Sequence, residues 1–210
     1  MIASTLFTWL QEADFYHDLH QEAVEALPAG NGETWLDIGT GPGLVARLAA
    51  ARGYYVTGID ADPQMIGAAK RIAQRERSAA DFQVGDIASL PAESAHIVSA
   101  ASLLAVLPDR MSGLRLLWKV LNPDGFLLVI EPTEQMTLDN ADRVIQKGLP
   151  RKRILGLRMW ATARQGNIVD PGIYNSLGAK SIRYMPLLHG LVGAWLVQKK
   201  DARADISPHA

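Results

Sequence analysis

The chain has 210 residues, 48% of them hydrophobic, with 22 acids against 21 bases and a formal net charge of −1. That suits one globular domain with a full-sized core and argues against a disordered or strongly nucleic-acid-seeking chain. With no cysteine, disulfides, thiolate-held metals and thiol nucleophiles are excluded. No apolar run approaches the 18 residues of a membrane span, and Arg47 is the first basic side chain, so no secretory signal is expected and the expected location is cytoplasmic.

Residues 3–27 read as one or two amphipathic helices, with Leu6, Trp9, Leu10 and Ala13, then Leu19, Ala23 and Leu27, at helical spacing. Pro28, Gly30 and Gly32 end that segment. Residues 34–38 form a short apolar strand around Asp37, followed at once by Gly39, Thr40, Gly41, Pro42 and Gly43, and then by a Leu- and Ala-rich helix from Leu44 to Ala51. A strand, a glycine turn and a helix bring backbone N–H groups and a helix N-terminus to one point, which favours a nucleotide-like ligand. Residues 54–60 make a second strand ending in Asp60, 21 residues after Gly39, where an acid can accept both ribose hydroxyls. Asp62 and Pro63 start the next helix as cap and first-turn residue.

A third strand is expected over 81–86, ending at Asp86 and Ile87. The fourth, over 95–102, is nearly all apolar, as a strand buried on both faces must be. A helix over 109–121 leads through Asn122, Pro123, Asp124 and Gly125 to a fifth strand over 125–131. Residues 133–166 read as helical segments broken by Pro150, and 171–178 as a short helix or turn. Residues 181–188 and 191–199 alternate as a hairpin around His189 and Gly190. The order predicts an α/β fold: a doubly wound, mostly parallel seven-stranded sheet with a terminal antiparallel hairpin. The expected organisation is one domain over 1–200, with a helical cap at 1–30, a helical lid at 133–170 and a mobile tail at 201–210.

The glycine spacing discriminates between cofactors. A dinucleotide fingerprint places a small residue where this chain has Leu44. Asp37, Gly39, Gly41 and Gly43 instead give D-x-G-x-G-x-G, which resembles the first motif of class I S-adenosylmethionine-dependent methyltransferases. Leu121 to Gly125 resembles the L-x-P-G-G-like turn of the same family. The resemblance covers about residues 30–132 by motif and the rest by element order. It implies a Rossmann-like fold, S-adenosylmethionine as cofactor and S-adenosylhomocysteine as product. It also implies Asp37 at the cofactor's ammonium, the glycines under its methionine part, Asp60 at the ribose, Met65 against the adenine, Asp86 at the adenine amino group and Ile87 against the ring. Thr40, Ala61 and Ser102 complete the expected contact set.

The end of the fourth strand narrows the choice of acceptor. Ser99, Ala100, Ala101 and Ser102 stand where amino-methylating DNA enzymes carry [D/N]-P-P-[Y/F/W]. Cytosine-C5 chemistry of the usual kind needs an absent cysteine, and catechol-type metal assistance needs carboxylates that the segment lacks before Asp109. The expectation is therefore a small-molecule acceptor, no nucleic acid and no metal. Candidate bases are Glu131, expected to face the ligand from the carboxyl end of the fifth strand, then His17 by family resemblance, Tyr16 and His189. A non-catalytic cofactor-binding protein is the alternative reading. Met1 to Ala46 holds seven acids and no Lys or Arg, whereas Arg143 to Arg164 holds seven bases and no acid. The two blocks would attract one another as a lid, or the basic one would admit an anionic or amphipathic small molecule or approach a negatively charged membrane surface; the bland reading is two solvated helix faces.

Overall fold

The computed structural model describes residues 13–149 and 154–201. The expected helical turns of 3–12 (Leu6, Trp9 and Leu10), the break at Pro150, the bases Arg151, Lys152 and Arg153, and the tail from 202 onward lie outside the described residues.

Seven strands form one sheet in the order β3-β2-β1-β4-β5-β7-β6. They are β1 (Thr34–Ile38), β2 (Tyr55–Asp60), β3 (Asp81–Val84), β4 (Ala95–Ala101), β5 (Leu121–Pro132), β6 (Ser181–Leu187) and β7 (Val192–Gln198). All neighbours pair in parallel from β3 to β5; β7 runs against both β5 and β6. The strand order reverses at β1, so the crevice between the carboxyl ends of β1 and β4 is the switch point where such sheets bind ligands.

Alternation along the strands builds two cores. Leu128 and Ile130 of β5 join one face; Leu127 and Val129 join the other. The first face is covered by α1 (Asp14–Glu25), α2 (Leu44–Ala51), α3 (Pro63–Glu76), α5 (Leu138–Gln146) and α6 (Ile154–Arg164). The second is covered by α4 (Arg110–Val120) and the 3₁₀ turn Pro171–Leu177. The caps are those the sequence offers: Asp62 Oδ1 accepts from Gln64 N at 2.8 Å with Pro63 following, and Asp109 Oδ1 accepts from Ser112 N at 2.9 Å. No helix among the described residues is long and apolar enough to cross a membrane.

β3 ends at Val84, two residues short of the expected end, and the start of β5 differs by more. β5 begins at Leu121, directly after α4, and not at Gly125. Leu121 pairs with Ala95 and Phe126 with Ile97, so Asn122 to Gly125 bulge out of an already paired strand. Asp124 takes the left-handed conformation there (φ 58°), and a side chain at Gly125 would press on the His96 carbonyl. The turn is present, but strand pairing runs on both sides of it.

Candidate active site

A cavity of about 400 Å³ opens at the carboxyl ends of the central strands. Asp37 of β1, Asp60 of β2 and Asp86 after β3 border it in spatial order across the sheet. Gly39, Thr40, Gly41, Ala61, Met65, Ile87 and Ser102 line it with them. Every cofactor-contact residue expected from the sequence is therefore brought to one place except Gly43. Gly43 opens α2 at φ 82°, and a Cβ there would overlap the ring of Phe82. Its glycine serves the packing of the loop against β3.

The loop is tied down by its neighbours. Gly39 N and Thr40 N both donate to the Ile59 carbonyl, at 2.8 and 3.0 Å. Asp60 Oδ2 accepts from Gly41 N at 2.8 Å, and its Oδ1 accepts from Asp62 N at 2.9 Å. Each carboxylate oxygen keeps a second lone pair for a ligand hydroxyl. Asp86 caps the turn Ile87–Ser89 through Ala88 N at 2.9 Å and also borders the cavity, so its turn role and its cavity position coexist.

Asp37 is 1% exposed. Its Oδ1 accepts from Ser99 Oγ and its Oδ2 from Thr40 Oγ1, both at 2.6 Å, and Ser99 Oγ accepts from Trp35 Nε1 at 2.8 Å. Burial nevertheless pushes the carboxyl up to about 6, with the two hydroxyls pulling the other way. A buried carboxylate that borders a cavity and is held in place by two hydroxyls is electrostatically prepared for a ligand cation.

The four predicted bases fall in four different places. Glu131 is fully buried and does not border the cavity. Its Oε1 accepts from Leu104 N at 2.8 Å, and burial pushes it up to about 7 against the pull of Arg164. It holds the turn after β4 in place instead of facing a ligand as expected. His17 leaves the cavity altogether: its side chain is 46% exposed, 3.7 Å from Asp18, and borders a separate cleft beside α2 and α3. His189 occupies the β6–β7 turn in a left-handed conformation. Tyr16 does line the cavity, with burial holding its phenol well above the ordinary range.

Two further cavity residues are not evident from the sequence motifs. His20 is 1% exposed, packs 4.3 Å from the Tyr16 ring and is held down at about 4 by burial, so it is neutral near pH 7. Its Nδ1 lies 2.7 Å from the Tyr16 carbonyl oxygen. A carbonyl only accepts, so the proton is on Nδ1 and Nε2 carries the lone pair. A signal for it exists: residues 13, 16, 20, 23 and 27 make one helical stripe, and His20 is on it while His17 is not. The other is Arg164, in the last turn of α6, 5% exposed, whose Nη2 lies 3.4 Å from the Ser102 carbonyl oxygen. Beyond Arg164 a shallow cleft between residues 105–110 and the end of α6 shares Val106, Leu107 and Arg164 with the cavity.

Residues 36–129 match the family model described as "Methyltransferase domain". A demethylmenaquinone methyltransferase from Chlorobaculum parvum is 34% identical over 100 residues, covering 46% of this chain and 40% of its own. Over residues 36–129 the chain is therefore similar to methyltransferase domains. An uncharacterized 37.1 kDa protein in transposon TN4556 of Streptomyces fradiae is 32% identical over 135 residues, 61% of this chain and 39% of that protein. The chain thus spans about two fifths of the length of these curated relatives. The solved structure of a SAM-dependent methyltransferase from Aquifex aeolicus superposes with a TM-score of 0.62 at 15% identity, over 90% of this chain and 91% of that one, which shows the shared fold. The cofactor that the Aquifex aeolicus protein's name gives is S-adenosylmethionine. The donor set suits it: acids at three successive strand ends, a glycine loop and an apolar wall including Met65 and Ile87.

Proposed function

We propose that this chain is a class I S-adenosylmethionine-dependent methyltransferase and transfers the cofactor's methyl group to a small-molecule acceptor by in-line displacement. The observation that carries the proposal is the row of Asp37, Asp60 and Asp86 around one cavity with Gly39 and Gly41. In this reading Asp37 holds the ammonium, Asp60 the ribose hydroxyls and Asp86 the adenine amino group, with Met65 and Ile87 against the ring. Ala61, Thr40 and Ser102 complete the wall. When bound, the cofactor supplies an electrophilic methyl on a sulfonium, so placing a nucleophile in line with it accounts for much of the rate.

The residues around the β4 and β5 ends then address the acceptor. Tyr16 and His20 from α1 and Arg164 in the last turn of α6 border that end of the cavity, so α6 acts as a lid over it and α1 as a cap. The neutral His20, with its lone pair on Nε2, is the group placed to receive a proton from an acceptor hydroxyl or acidic C–H. Glu131 acts at one remove: it fixes the Leu104–Val106 turn that borders the acceptor side. An enclosed cavity with an apolar wall and an arginine suits a small anionic or amphipathic acceptor, and the demethylmenaquinone relative acts on such a small molecule by its name.

The test is an assay of S-adenosylhomocysteine release with a panel of phenols, quinols and carboxylic acids, by mass spectrometry. Methylation of one class with turnover supports the reading. Tight cofactor binding with no methylated product, from small molecules, peptides or nucleic acid, would replace it with a binding role.

A further inference from the structure

In that placement the three acids of the cavity meet the ammonium, the ribose hydroxyls and the adenine amino group, which leaves the methionyl carboxylate to be matched. Among the described residues that line the cavity, Arg164 is the one arginine or lysine, and His20 is neutral near pH 7. Arg164 is 5% exposed, so water screens little of its attraction for an anion placed in the cavity. Tyr16, Arg164 and Asp37, the acid assigned to the ammonium, all line this one cavity. An α-amino acid carries both charges on adjacent groups, and this is the arrangement that receives it. Arg164 Nη2 lies 3.4 Å from the Ser102 carbonyl oxygen at the cavity wall, and a guanidinium is the side chain whose planar fork matches a carboxylate.

We propose that Arg164 binds the methionyl carboxylate of the cofactor, opposite Asp37, and thereby couples the lid helix α6 to an occupied cofactor site. This rests on the cofactor placement proposed above. Its consequence is an order of events: the carboxylate holds the last turn of α6 against the Ser102 loop, so the acceptor end is complete only with the cofactor in place. An anionic oxygen of the acceptor would suit the same guanidinium, and the experiment separates the two sources.

The experiment is calorimetry on wild type, Arg164→Gln and Arg164→Lys, with S-adenosylhomocysteine and with its decarboxylated analogue, which keeps the ammonium and lacks only the carboxylate. Wild type should bind S-adenosylhomocysteine about 10- to 100-fold more tightly than the analogue. In Arg164→Gln the two ligands should bind within about twofold of each other, and Arg164→Lys should keep part of the preference. A wild type with no preference overturns the proposal without any variant. An undiminished preference in Arg164→Gln overturns it too and moves the guanidinium to the acceptor. Equal weakening of both ligands would make Arg164 a structural residue. Binding of neither ligand by wild type is a different failure, that of the cofactor reading itself.

Discussion

The backbone N–H of Gly41 donates to Asp60 Oδ2 across 2.8 Å, so the glycine loop of β1 is fastened by the acid that ends β2. The same carboxylate that is proposed to hold the ribose therefore also shapes the loop beneath the methionine part. Replacing Asp60 with Ala removes both functions. Cofactor affinity should fall about 10- to 150-fold, since hydrogen bonds to a charged group contribute about 1.5–3 kcal/mol. Because Gly41 loses its acceptor, the ligand-free protein should also unfold a few degrees lower. Calorimetry and thermal unfolding of Asp60→Ala check both; wild-type affinity would refute the ribose assignment.

Asp37 gives a pH signature. Burial raises its carboxyl from an ordinary 3.8 to about 6. A ligand ammonium favours the carboxylate, so binding expels a proton below about pH 6 and none well above it. Affinity for S-adenosylhomocysteine should be level from about pH 7 to 8 and fall toward tenfold per unit as pH drops below about 6. In Asp37→Asn that inflection should disappear along with most of the affinity. An affinity flat down to about pH 5 in wild type would show that Asp37 does not meet the ammonium.

How much of this is legible in the sequence divides by the kind of information. Strand ends and caps come from local patterns, because alternation, Asp62 with Pro63 and the glycine run each act within a few residues. The cavity acids follow from strand-end position, since parallel strands deliver their last residues to one edge. Glu131 shares that position, yet its side chain turns to the Leu104 N–H of the neighbouring loop. That choice depends on how residues 102–106 fold back, which is tertiary. His17 and His20 differ by three positions on α1, and the stripe separates them only once the buried face of the helix is known. Arg164 reads as the last member of a basic block, whereas Arg158 of the same block pairs with Asp142 at 3.4 Å and faces outward.

The α1 histidines should behave oppositely. His20 should titrate near 4 by NMR, and a ring resonance with that midpoint should vanish in His20→Ala. With an acceptor that carries a labile proton, His20→Ala should lower kcat by about 100-fold or more, while His17→Ala stays within about twofold. The reverse ranking would restore His17 as the functional residue.

Gly43 tests the loop independently of any ligand. At φ 82°, and with Phe82 where a Cβ would go, Gly43→Ala should cost about 1–3 kcal/mol, a fall in Tm of several degrees for a chain of this size. Ala at Gly148 (φ 106°), where nothing stands within 4 Å, should cost only the backbone share of that. Equal effects at both positions would mean that packing on Phe82 contributes nothing.

The central claim is that the cavity is built for an adenosyl amino acid and not for a dinucleotide. Calorimetric titration of the wild-type protein near neutral pH with S-adenosylhomocysteine, and separately with NADH, tests it most directly. The account predicts one saturable site for S-adenosylhomocysteine and no heat of binding with NADH. Saturable binding of NADH with none of S-adenosylhomocysteine would contradict it.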